Sequence, residues 1–187
     1  MTTVPAIART ELFSYLVTRH TGRSVRTSIE DQLDTFDRAV LAVLDLRHVP
    51  LIDFSCADEV VAKLVGPASR PPRTRRFFLF RGIDEHHLEP IQSALGRQGL
   101  AAAAETIGGD PLLLGEIERD LADAWRAVWA LGLAGHAVVA DRIGVTDRVA
   151  ITLLEGLDTR RLVIRDGERY VSFGRVLSDS GASDPGR

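Results

Sequence analysis

The stretch Asp53-Phe54-Ser55-Cys56-Ala57-Asp58-Glu59 brings a hydroxyl, a thiol and three carboxylates into seven residues. Ser55, with Asp58 three positions on, reads as a capping box, in which the hydroxyl takes up an orphan amide of the first helical turn. Such a cap is worth about 1 kcal/mol. It also sets Ser55 where free amides and the helix dipole favour an anion, so phosphorylation or phosphate binding is the chemistry open to it. Asp53 reads as a turn residue or as part of a partner surface. Asp58 and Glu59 read as first-turn carboxylates that complement the dipole, with partner contact as the alternative.

Other residue types cluster elsewhere. Arg70, Arg73, Arg75, Arg76 and Arg81 lie in and beside a loop rich in proline, glycine and arginine at residues 66–75 and could bind phosphate, nucleic acid or an acidic partner. The partner surface expected from this half is therefore Asp53, Asp58, Glu59, Arg73, Arg75 and Arg76. His86-His87 lies among Asp84, Glu85 and Glu89, but adjacent histidines do not share a helix face, and a solvated loop before a helix is the better reading. No nucleophile–base set, glycine-rich phosphate loop or metal-ligand spacing occurs, so no catalytic residue, cofactor or metal is expected.

The elements that must position Ser55 read as alternating strands and helices. A nearly unbroken apolar run at residues 41–46 suits a central strand, which begins at Val40. Residues 11–18 suggest a preceding strand, and Val25, Ile29, Leu33 and Phe36 give a helix over 22–36 one apolar face. After a helix at 55–65 come an aromatic strand at 76–80, a helix from Pro90 to Arg97 and a short strand at 100–105. Such alternation implies parallel strands with right-handed crossovers.

Thr106-Ile107-Gly108-Gly109 marks a boundary, and Asp110-Pro111 reads as a helix start. Leu114, Ile117, Leu121, Ala124, Val128 and Leu131 then recur at helical spacing, predicting a long amphipathic helix over 112–131 that also carries Trp125 and Trp129. A homodimer could form through Leu114, Ile117, Leu121, Trp125 and Val128. Ala140 and Gly144 stand four apart, as the packed alanine and turn glycine of a helix-turn-helix do. Asp166-Gly167 signals a hairpin between residues 161–164 and 169–173. The tail 178–187 is small and polar and is expected to be disordered.

Two family resemblances rest on these residues. Asp45-Leu46, the hydrophobic turn and Asp53-Phe54-Ser55 before an apolar helix resemble the signature of STAS domains, the sulphate-transporter and anti-sigma-antagonist modules. Ser55-Cys56-Ala57-Asp58-Glu59 is similar to the bacterial STAS-like variant, and the likeness covers roughly residues 11–105. It implies that Ser55 matches a serine phosphorylated by a partner kinase, the phosphate deciding which partner binds. Helix, helix-turn-helix and hairpin over roughly 112–177 resemble a winged helix, and residues 157–163 resemble the junction between its recognition helix and wing. That likeness implies DNA contacts from Thr146, Arg148 and Thr152 on the recognition helix and from Arg160, Arg161, Arg165 and Arg169 at the wing.

Composition bounds these expectations. The chain has 187 residues, enough for one domain or two small ones, and 23 basic against 26 acidic residues. A net charge of −3 is unlike the basic body of a dedicated nucleic-acid binder. No apolar stretch approaches the roughly 20 residues that cross a bilayer, and the first residues lack the blocks of a signal peptide. With Cys56 the single cysteine, a cytoplasmic protein is expected.

The sequence thus predicts a STAS-like α/β domain with a mostly parallel sheet at 1–107, an α+β winged-helix domain at 108–177 and a tail. The function expected is that of a non-enzymatic bacterial regulator whose first module senses a partner or ligand and whose second binds DNA or protein. The alternative is an adaptor that docks through both modules without DNA.

Overall fold

The computed structural model describes residues 5–66 and 74–181. The chain divides into two compact units, one spanning Pro5–Ile117 and the other beginning at Glu118. The first unit is mixed α/β. Its strands are β1 (Ala6–Phe13), β2 (Val40–His48), β3 (Arg76–Ile83), β4 (Ala101–Thr106) and β5 (Pro111–Gly115), in the order β1-β2-β3-β4-β5. The first four are mutually parallel and β5 is antiparallel to β4. Between them run α1 (Arg19–Leu33), then α2 (Phe54–Ala57), a π turn (Asp58–Ala62) and α3 (Lys63–Val65) in succession, and α4 (Glu85–Gly96).

Strand order equals chain order, so successive right-handed crossovers leave every helix on the same face of the sheet. The packing agrees. Ala6, Ala8 and Leu12 of β1, Val40, Ala42 and Leu44 of β2, and Phe78 and Phe80 of β3 join Ile29, Val60, Val61, Ile91 and Leu95 in one core. Alternation along the strands explains that set. The first strand lies earlier than residues 11–18, because Ala6, Ala8 and Leu12 supply the buried face while Phe13, Ser14 and Tyr15 are exposed. Beyond it, Leu16 bridges to Ile52 as a one-residue continuation.

Two elements depart from expectation near the boundary. Asp110-Pro111 opens a strand, not a helix. Thr106 N–H donates to Asp110 O at 2.9 Å, folding the chain back so that Leu112 to Leu114 pair with Ala104 to Ala102. Proline is tolerated there because it begins an edge strand. The compact unit therefore runs past Thr106–Gly109 to Ile117, and the predicted helix shortens to α5 (Arg119–Leu131).

The second unit follows as α5, β6 (Leu133–Gly135), α6 (His136–Ile143), α7 (Asp147–Thr159), β7 (Ile164–Asp166), β8 (Arg169–Val171) and α8 (Phe173–Gly181). Its three short strands form an antiparallel sheet in the order β6-β8-β7. Helices α5, α6 and α7 pack pairwise. Gly144 ends α6 in the left-handed conformation (φ +73°), with Val145 N–H returning to Ala140 O at 3.0 Å. Trp125 is buried, and its indole N–H donates to Leu162 O at 3.2 Å. Residues 178–181, placed by the sequence in a disordered tail, belong to α8.

Candidate functional site

Ser55 stands at the carboxyl end of β2, as expected, but it is not the cap of the helix that follows. Asp53 is. Its Oδ1 accepts Cys56 N–H at 2.7 Å and its Oδ2 accepts Thr18 N–H at 3.1 Å. Both residue types are good caps and stand two positions apart; Asp53 prevails because it also reaches a second loop. Ser55 therefore falls at the second helical position, half-buried, and its hydroxyl makes no hydrogen bond among the described residues.

Thr18 joins this junction under backbone strain. Its φ of +76° is rare for a β-branched residue. It is held by Asp53 on its N–H, while its carbonyl accepts Gly22 N–H at 3.1 Å and the Cys56 thiol at 2.9 Å. Helix α1 meets α2 and the π turn so closely here that a Cβ on Gly22 would lie 3.0 Å from Cys56 Cα and 2.9 Å from Glu59 Cβ. Burial, reinforced by Asp53, pushes the Cys56 thiol up to about 11, so it serves as a neutral donor.

One turn further, Glu59 is fully buried. Its Oε1 accepts Lys63 Nζ at 2.5 Å and Arg19 Nη1 at 3.0 Å, and its Oε2 accepts Arg26 Nε at 3.4 Å. Arg26 also grips both Glu30 oxygens, at 2.9 and 3.1 Å. Asp58 takes Arg19 at 3.0 Å and Gln98 Nε2 at 2.9 Å. Burial works against the Glu59 charge, but Lys63, Arg19 and Arg26 hold its carboxyl below the usual range. Residues 59–62 are buried in succession because the π turn is flanked by both α1 and α4. Glu59 thus leaves the expected partner surface: its carboxylate is the centre of an internal ion cluster. Only Lys63, four residues on, was legible as its partner; Arg19 and Arg26 come from another helix.

The arginine loop divides in the same way. Arg73, like Arg70, lies outside the described residues. Arg75 is exposed, its guanidinium 5.1 Å from the Phe77 ring centroid. Arg76 is buried and pairs with Asp34 at 2.5 Å, so it too is internal. Arg81 pairs with Glu105 at 2.6 Å. His86 and His87 lie in the first turn of α4 and not in a loop. His87 is buried, its Nδ1 3.2 Å from Asp84 N and its Nε2 2.7 Å from Val49 O. Among the described residues no three His, Cys, Asp or Glu side chains converge on a point where a metal could sit.

Beside the Ser55 junction the structure exposes residues that spacing did not mark. Phe13 stacks on His48 with centroids 5.4 Å apart and planes 8° apart. Phe13, Tyr15 and Leu51 are exposed by 59, 60 and 44%. Nearby, Asp45 accepts Arg47 Nε at 2.9 Å and Nη2 at 2.6 Å, so the aspartate of the Asp45-Leu46 motif is a structural ion-pair partner.

In the second unit, Thr146 caps α7, accepting Val149 N–H at 3.4 Å, and Arg148 and Thr152 are exposed on that helix. Three of the four cations expected at the wing are already engaged. Arg160 pairs with Glu118 at 3.3 Å, Arg169 with Asp166 at 3.7 Å, and Arg165 donates to Gly167 O at 3.1 Å. Arg161 has a φ of +58° at the turn after α7. The unit also exposes apolar side chains, Val149 and Ile151 on α7 and Val138 on α6. The dimer surface expected from Leu114, Ile117, Leu121, Trp125 and Val128 is not an outer stripe. Leu114 is buried in the first unit beside α4, Ile117 is half-buried, and Leu121, Trp125 and Val128 are buried on α5. No helix among the described residues is long and apolar enough to cross a membrane. Compared with known proteins, the chain matches no family model and shows no significant similarity to a curated protein.

Proposed function

We propose that this chain is a non-enzymatic regulatory protein in which a STAS-like unit receives a signal near Ser55 and a winged-helix unit docks a protein partner through α7. The order helix, strand, helix, helix, strand, strand, with the sheet order β6-β8-β7, supports the winged-helix reading. The observation that carries docking to protein is the apolar exposure of α7. Val149 and Ile151 stand open there, 42 and 38% exposed, while Arg160, Arg165 and Arg169 are spent on internal partners. Duplex binding draws much of its affinity from cations free to neutralise phosphates, and this surface offers few.

Ser55 fits the role of a switch by competition. A phosphate on its hydroxyl would crowd the Asp53 carboxylate at the same helix start and would compete for the Cys56 amide. Release of Asp53 frees Thr18, whose strained backbone relaxes, and with it the loop bearing Tyr15.

A photo-reactive residue at Ile151 in the native host tests the docking reading, with the exposed Ser180 on α8 as control. Capture of one defined protein from position 151 and not from 180 is the expected result. Nucleic acid captured at 151 would move the function to DNA, the reading favoured by the exposed Arg148 and Thr152. For the switch, intact-mass measurement on the native protein should find a fraction carrying one phosphate that Ser55→Ala abolishes. A uniformly unmodified Ser55 removes it.

A further inference from the structure

Strand β1 is an edge: among the described residues it pairs with β2 alone. Ala6 N–H donates to Ala39 O at 2.8 Å, so the backbone groups of Ala6, Ala8, Thr10 and Leu12 face β2. By the same alternation, those of Ile7, Arg9 and Glu11 point outward, away from the sheet, and Phe13 follows after a shift of register against β2 between Glu11 and Phe13. Arg9 and Glu11 are exposed, Phe13 is 59% exposed and Ile7 is half-buried. An open edge of this length is a template for another strand unless something blunts it.

The side chains on this edge are self-complementary in one register only. We infer that a second copy of this chain pairs with β1, antiparallel, about a two-fold axis at Thr10. In that register Arg9 lies opposite the partner's Glu11 and Glu11 opposite the partner's Arg9. Ile7 lies opposite the partner's Phe13, and the two copies of Thr10 form the central pair without backbone hydrogen bonds between them. Opposite charges, an aromatic beside a β-branched residue and paired threonines are the cross-strand combinations that stabilise an antiparallel ladder. Moving the axis to Arg9 sets arginine against arginine, and moving it to Glu11 sets carboxylate against carboxylate. The charge pattern thus selects both the partner and the register, and a two-fold contact of this kind closes at two copies. Edge charges of one sign would repel a second copy, whereas Arg9 and Glu11 alternate in sign and attract one in this register. The inference is independent of what Ser55 and α7 do.

The test is sedimentation of the full chain across concentration, with charge-reversal variants checked for folding by circular dichroism. The wild type should form a dimer. Glu11→Arg or Arg9→Glu alone should weaken it about tenfold or more, because each places like charges together twice. The double variant carrying both changes should restore it. Independently, Thr10→Cys should give a disulfide-linked dimer under mild oxidant, since central pairs of this kind stand about 4.5 Å apart at Cα, within disulfide reach. Cys56 is buried and does not compete. A wild type that stays monomeric at every concentration, a dimer indifferent to the single reversals, or a double variant that fails to recover each overturns the inference.

Discussion

The two units treat charge in opposite ways. In the first, Glu59 is sealed beneath Arg19, Arg26 and Lys63, with Asp58 and Glu30 completing the set. In the second, Arg160, Arg169 and Arg175 meet Glu118, Asp166 and Asp179 at the surface. An exposed pair contributes about 0–1 kcal/mol, since water screens it and two long side chains must be held. A buried carboxylate is different in kind: its desolvation must be matched by partners, and losing one side leaves the other uncompensated. The same residue types therefore specify architecture in one unit and form screened surface pairs of little structural weight in the other.

The largest expected effect falls on the buried cluster. Glu59→Gln keeps the shape but takes the shared buried carboxylate from three cations, leaving them only Asp58 and Glu30, and should cost about 2 kcal/mol in urea unfolding followed by circular dichroism. If the loss is below about 1 kcal/mol, the two units do not differ as described. Acid sharpens the contrast. The Glu59 carboxyl is depressed in the folded state, so its stabilisation is present above the ordinary glutamate range and is lost as pH falls through the folded value. Stability of the first unit should thus decline on acidification below about pH 4.3. Both tryptophans, Trp125 and Trp129, lie in the second unit, so circular dichroism should lose signal before tryptophan fluorescence does.

Next comes the helix start. Asp53→Ala should cost about 1–2 kcal/mol, and Ser55→Ala less than about 0.5 kcal/mol. The reverse order would return the cap to Ser55. The smallest effect belongs to the surface. Arg160→Ala and Arg169→Ala should each change stability by no more than about 0.5 kcal/mol. A larger loss would show that the second unit also uses its charges structurally.

Much of the first unit was legible because apolar runs announce buried strands and their alternation with helices implies parallel pairing. β2 begins at Val40 as read, and the helix after Ser55 is where the pattern set it. What stayed hidden depends on partners distant in sequence. Asp53 outranks Ser55 as the cap through Thr18, 35 residues away, and Glu59 is drawn inward by Arg19 and Arg26, 40 and 33 residues away. Local rules also pointed the wrong way at Asp110-Pro111. The dipeptide suits a helix start, yet the free edge of β4 and the tight turn at 106–110 recruit Leu112 to Leu114 as a strand. The dimer stripe failed for a related reason. Leu114 and Leu121 share a helical period in the sequence but belong to different elements, so their side chains never share a face.

The strand order carries a further consequence, for synthesis. Every strand of the first unit pairs with the one made just before it, so each emerging segment finds its template already present at the growing margin. Nothing must be threaded in later or displaced to admit a latecomer; each parallel pairing waits only for the next crossover to be made, as from Ala6 to Val40 and from Val40 to Arg76. Growth runs in one direction, toward β5. The margin made first is passed over by every later strand, and among the described residues nothing fills it.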